Sequence, residues 1–286
     1  MSQPGGGDQF PRAFALPAQS PMFWAEHKDR FLRQLLIQDL ESRWKRRVIV
    51  YFCDCSRLDA QISGSDDQYL LELLSDIDAA QPVDLILETN GGRTDATEKL
   101  VSILKNSIED LRVVVPRRAK SNGTLLALAG KSIVMGPGSE LGPIDPYIVM
   151  PDGQTFYPAQ NILDAYEERD GITAIEREFA RDAMAQSTEV ARELLKTGML
   201  QGKADHEVEA VVKDLASRQK HHSHGSVIDA QEAIALGLSV DYRDSIDEYW
   251  RWVWLLRCLY EYDVASRGWA KIFEGSRISN SLSAER

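Results

Sequence analysis

Four short runs of this chain are apolar with no apolar–polar alternation: RVIVYFC (47–53), VDLILET (83–89), RVVVP (112–116) and SIVMG (132–136). Runs of this length, rich in β-branched residues, read as strands. A strand with one wet face alternates, whereas a strand covered on both faces does not. Between the runs lie segments of helical spacing, DDQYLLELLSDIDAA (66–80), TDATEKLVSILKNS (94–107) and SNGTLLALAG (121–130). Strands alternating with helices at short spacing predict an α/β fold with a mainly parallel sheet. A helix with Phe31, Leu35, Ile37, Leu40 and Trp44 on its periodic positions precedes the first strand. Beyond 157 the pattern turns helical, then closes with VIDAQEAIALGLSV (227–240), a helix and a short strand.

The remainder sets limits. A 286-residue chain with net charge −11 lacks the basic surplus of a nucleic-acid binder. No run of 18 uncharged apolar residues occurs, so no membrane span is expected. The N-terminus has no apolar core of a secretory signal. Three cysteines, Cys53, Cys55 and Cys258, suit a reducing compartment, and a cytoplasmic setting is the expectation. The chain divides into a Pro/Gly-rich flexible tail (1–20), a main domain (21–245) and an aromatic helical extension (246–286). The extension, YWRWVWLLRCLYEY, is too apolar to stand in water. It either packs on the chain's own core or joins copies into a homo-oligomer.

Three places carry chemistry. Gly91 and Gly92 follow the second strand, at the carboxyl edge where open α/β sheets bind ligands. They make either a tight turn or half of an oxyanion hole. Ser121 stands between a strand and a helix, either as an N-cap or as a nucleophile, with the Asn122 N–H as a second oxyanion donor. The five histidines are His27, His206, His221, His222 and His224. HHSHG is either a solvated loop or the source of a general base, and its spacing matches no metal motif. Asp145, in GPIDP, either makes a turn or orients an imidazole.

The order strand–GG–helix, strand–S-x-G-T–helix, strand–GPGSELGPIDP and a later HG…A-x-x-x-G-L segment resembles the serine dehydrogenase proteinase family. That family lies within the Clp protease, signal peptide peptidase A and crotonase-like superfamily. The resemblance runs from about Arg33 to Val240. It implies a spiral of strand–strand–helix units with added helices, and a peptidase that needs no metal or cofactor. It implies Ser121 as nucleophile, Asp145 and His224 as its partners, and Gly91, Gly92 and Asn122 around the oxyanion. It also implies a peptide or protein substrate and assembly into a homo-oligomer. The family's triad order is inverted relative to Clp proteases. LETNGG and Asn122 stand where the pattern more often has H-T-P-G-G and a small residue. The alternatives are a binding protein without a working base, a crotonase-type acyl-CoA enzyme, and a Ser–Lys dyad using Lys120 or Lys196.

Overall fold

A computed structural model describes residues 20–150, 155–167, 171–217, 220, 221, 223 and 225–284. The tail expected over 1–20 lies outside these residues, except for Ser20. Helices α1 (Pro21–Glu26) and α2 (Lys28–Trp44) lead into β1 (Arg47–Cys53). Then come α3 (Asp66–Leu74), β2 (Val83–Glu88), α4 (Thr94–Ser107), β3 (Leu111–Val115), β4 (Arg118–Ala119), α5 (Asn122–Ala127), β5 (Ser132–Met135) and β6 (Glu140–Leu141). A hairpin of β7 (Tyr147–Val149) and β8 (Phe156–Pro158) is followed by α6 (Ala159–Glu167), α7 (Ala174–Thr197), α8 (Asp205–Ala216) and α9 (Ala230–Ala235). The chain closes with β9 (Val240–Tyr242), α10 (Glu248–Arg267), β10 (Trp269–Gly275) and β11 (Ser279–Ser283).

The main sheet has seven strands in the order β11-β10-β1-β2-β3-β5-β9. From β1 to β9 every pairing is parallel, as the apolar runs predict. A second, short tier crosses the carboxyl ends of these strands. It consists of the β4–β6 pair and single bridges Ile62–Gly92, Thr89–Ala119 and Leu141–Ile228. β1, β2, β3 and β5 therefore each run into a short extended piece and then, in the first three units, a helix. This is the expected spiral of strand–strand–helix units.

Successive strand side chains point to opposite faces. Ile49, Tyr51, Leu85, Leu87, Val113 and Val115 face the layer that holds α3, α4, α5, α7 and α8. Val48, Val50, Phe52, Ile86, Val114 and Val134 face the other way. Connections of one hand, stepping always toward the same edge, leave their helices on one face. The opposite face must be covered from elsewhere. Ile37 and Leu40 of α2 cover it, together with Tyr249, Trp250, Val253, Leu256 and Tyr260 of α10.

The aromatic extension thus packs on its own chain's sheet. Its helical reading holds for Glu248–Arg267 only, since Trp269–Gly275 adds antiparallel to β1 and Ser279–Ser283 to β10. Charged residues inside β10 break the strand pattern and are paired in the interior. Glu274 accepts from Arg33 at 2.7 and 3.1 Å and from Tyr260 at 2.6 Å. On α10, Arg257 makes a bidentate pair with Glu88 at 2.9 and 2.8 Å.

Truncation after Asp244 should therefore unfold the chain rather than release a smaller folded one. Burying one large apolar side chain contributes roughly 1.5–3 kcal/mol, and a domain holds only about 5–15 kcal/mol in all. Loss of the cooperative thermal transition in circular dichroism is the expected result. A truncated chain that still melts cooperatively would show that α10 and β10 are dispensable.

Candidate active site

The site grows from the carboxyl ends of β2 and β3. Thr89 follows β2 and locks it to the next unit: its N–H donates to Arg118 O at 3.1 Å, and its carbonyl accepts from the Lys120 N–H at 3.0 Å. Its hydroxyl accepts from the Gly91 N–H at 3.0 Å. Gly91 has φ +96°, and a Cβ there would lie 2.7 Å from Lys120 O, 3.0 Å from Ser121 Cβ and 3.1 Å from Asn122 N. Only glycine lets the two turns meet this closely. Gly92 lies on the backbone of Ile62, where a Cβ would fall 2.4 Å from both Ile62 N and O.

Ser121 has φ 52° and ψ −123°, one of two non-glycine residues with positive φ among those described. A β-carbon in such a region costs on the order of 1–3 kcal/mol and persists where the surroundings enforce it. The surroundings here are tight: Gly123 N–H donates to Lys120 O at 2.7 Å and Thr124 N–H to Ser121 O at 2.8 Å. The Ser121 hydroxyl makes no capping bond to α5. The cap reading of Ser121 therefore fails at the side chain: the residue stands at the N-cap position of α5, with a backbone outside the extended region usual for a cap and no capping bond from its hydroxyl.

Asn122 does more than supply an N–H. Its Nδ2 donates to Gly92 O at 2.5 Å and to Thr94 Oγ1 at 3.2 Å, clamping the glycine loop to the serine turn. The backbone N–H groups of Gly92 and Asn122 meet no acceptor among the described residues. The glycine loop and the serine turn thus lie against each other, and each carries an uncommitted N–H group.

The partner residues stand differently. Asp145 is fully buried in the loop after β6. That loop is stapled to the serine helix, since Thr124 Oγ1 donates to Gly142 O at 2.8 Å and accepts from Gly142 N at 3.0 Å. Ser187 Oγ donates to Ile144 O at 2.7 Å. His222 and His224 lie outside the described residues. His221, expected as a solvated neighbour, is buried. Its Nε2 lies 3.0 Å from Asp214 O and its Nδ1 3.9 Å from Glu232, so the loop folds in on its first histidine.

Lys120 is engaged by groups other than the Ser121 hydroxyl. Its Nζ donates to Ser226 O at 2.9 Å and Leu141 O at 3.2 Å, and lies 3.1 Å from Glu140. Burial pushes its ammonium below the ordinary lysine range, and Glu140 opposes that. Lys196 pairs with Asp205 at 2.7 Å in an exposed position. Neither lysine is offered to Ser121. Lys120 instead ties the segment after the histidine cluster to the serine turn. The Leu141–Ile228 bridge, with bonds of 2.9 and 3.1 Å, ties the same segment to β6.

Thr89 and Thr124 were silent as site residues in the sequence, and Lys120 was read there as a candidate base rather than as a tie. The only signal was their place beside NGG and Ser121. No cluster able to hold a metal occurs among the described residues. No described helix is long and apolar enough to cross a membrane. Two grooves, of about 550 and 510 Å³, lie between α4 and α7 and among α6, α7 and α8; Ser121, Gly91 and Gly92 line neither.

Among known proteins, the chain is 33% identical over 214 residues to the uncharacterized protein MJ0137 of Methanocaldococcus jannaschii, covering 72% of this chain and 68% of that one. It is 32% identical over 167 residues to MJ1495 of the same organism, covering 57% and 54%. Among solved structures, it resembles a mutant of the 1510-N membrane-bound stomatin-specific protease with TM-score 0.43, 19% identity and coverage of 66% and 77%. A ClpP1 mutant from Listeria monocytogenes gives TM-score 0.42, 16% identity and coverage of 76% and 99%. Residues 61–273 match a family model, and this span holds the glycine loop, the serine turn and most of β10: the chain belongs to the ClpP-like SDH-type serine proteinases.

Proposed function

We propose that this protein hydrolyses peptide bonds with Ser121 as nucleophile. The observation that carries the reading is the strained, uncapped Ser121 held against the Gly91–Gly92 loop. Strain of this kind persists at sites where it presents a reactive group. Ser121 Oγ attacks the scissile carbonyl carbon, and the hydroxyl proton passes to His224. The carbonyl oxygen, now negative, takes the N–H groups of Gly92 and Asn122. Collapse breaks the C–N bond, and the proton leaves on the amine. Water then attacks the acyl-enzyme, giving a proton to the same imidazole; collapse breaks the bond to Oγ, that proton returns to Ser121, and the acid leaves. Asp145 holds the imidazole in the tautomer that can accept from Ser121. The buried position of Asp145, in a loop stapled to the serine helix, supports this role. The commitment of Lys120 to Glu140, Leu141 and Ser226 favours the histidine over a Ser–Lys dyad. Assembly into a homo-oligomer is part of the same proposal, and a monomer mass in light scattering of the full chain would count against it.

The base is tested by a pH series. Peptide cleavage by the wild type should rise through a pH of roughly 6–7, where an imidazole loses its proton. His224→Gln should abolish that limb along with most activity. His206→Gln should change neither. An essential His206, or full activity in His224→Gln, would reject the assignment of the base.

A further inference from the structure

We infer that Lys271, on the C-terminal strand β10, is a positioning residue for the Gly91–Gly92 loop, acting through Asp66 and Ser63. The role in catalysis rests on the peptidase reading above; the hold on the loop does not. Lys271 is buried and in register with Cys53 of β1. Its Nζ donates to Asp66 Oδ1 at 2.8 Å, to Asp66 Oδ2 at 2.9 Å and to Ser63 Oγ at 3.0 Å. Asp66, fully buried, also accepts from Tyr51 Oη at 2.5 Å, Ser63 N at 2.9 Å and Ser63 Oγ at 3.0 Å. Both carboxylate oxygens are thus used, and the position of Ser63 is over-determined.

Ser63 follows Ile62, and Ile62 is the other wall of the loop. Its N–H donates to Gly91 O at 2.8 Å, and its carbonyl accepts from Arg93 N at 3.0 Å. With Gly92 lying against the Ile62 backbone, a shift of Ile62 has to move the loop. The line therefore runs from Lys271 through Asp66 and Ser63 to Ile62, then to Gly91 and Gly92, and across Asn122 to Ser121. A buried ion pair is a poor source of stability compared with apolar residues of the same size, and its use lies in fixing one arrangement. Here the fixed arrangement is one side of the oxyanion site. The serine turn has anchors of its own in Thr89 and Thr124, and it meets this line at the Asn122 clamp.

The test replaces both charges, with Lys271→Met and Asp66→Asn in one chain. Removing Lys271 alone would leave a buried carboxylate uncompensated; in the pair, the amide keeps an acceptor for the Ser63 N–H. Ser63→Ala, a milder change at a partly exposed residue, is the second variant. Amide hydrogen exchange is followed by mass spectrometry, alongside the rate at which a fluorophosphonate labels Ser121. Peptides covering 60–64 and 89–93 should exchange about tenfold faster in the double variant and move the same way in Ser63→Ala, through local opening. Peptides covering 111–117, on β3 and short of the serine turn, should not change. Labelling should slow about tenfold, as expected when a preorganised donor is displaced. Unchanged exchange at 89–93 in either folded variant overturns the inference, even if labelling falls. Faster exchange in a protein whose wild type never labels keeps the inference and rejects the peptidase reading.

Discussion

Ser121→Ala should lower peptide cleavage by on the order of 10³- to 10⁶-fold, the range over which a nucleophile acting with its base is lost. The same change should leave stability almost untouched. A serine that caps its helix contributes about 1 kcal/mol that alanine forfeits, but Ser121 makes no capping bond. Ser121→Gly separates the two effects further. Glycine takes φ 52° without a Cβ penalty. It should therefore be as inactive as alanine yet more stable than the wild type by about 1 kcal/mol, the strain relieved less the entropy glycine loses. Chemical denaturation of the three proteins measures this. A wild type more stable than Ser121→Gly by the value of a cap would mean that the serine is there for the helix.

Gly92→Ala is the second large effect. A Cβ there would meet Ile62 N and O at 2.4 Å and Ile62 Cα at 2.8 Å, all backbone atoms of a buried residue. The loop must move, and the Gly92 N–H with it. Loss of one oxyanion donor costs roughly 10²–10³ in kcat. The loss should fall on kcat more than on KM, because the donor acts on charge that develops only in the transition state. The variant should also melt lower, since Ile62 and the Asn122 clamp are disturbed together. Equal kcat in Gly92→Ala and wild type would remove this loop from the oxyanion site.

The parallel strands were legible because burial on both faces leaves continuous apolar runs such as RVIVYFC. The layer formed by α2 and α10 was not legible as a layer. Which face is left bare depends on the hand of the crossovers, and no residue announces it. Strand β10 was hidden by Lys271 and Glu274, charges that break a strand pattern until their partners Asp66 and Arg33 are brought in from elsewhere. Strands β4 and β6 are two residues each, too short to show a period. At the site, Ser121, Gly91, Gly92 and Asn122 were read from their places after strands, and they meet in space. The positive φ of Ser121 was not readable, since serine carries no preference for it. The solvated reading of HHSHG does not hold at His221, because the Asp214 carbonyl and the Glu232 carboxylate that its ring approaches lie on helices the sequence does not show to be near.

The most direct test of the account is to treat the full chain with a fluorophosphonate, digest it and locate the adduct. One adduct per chain is expected, on the peptide that carries Ser121, at a rate that rises as imidazole deprotonates. An adduct on any other serine, or no adduct in a chain that cleaves peptides, would contradict the central claim that the strained Ser121 is the nucleophile.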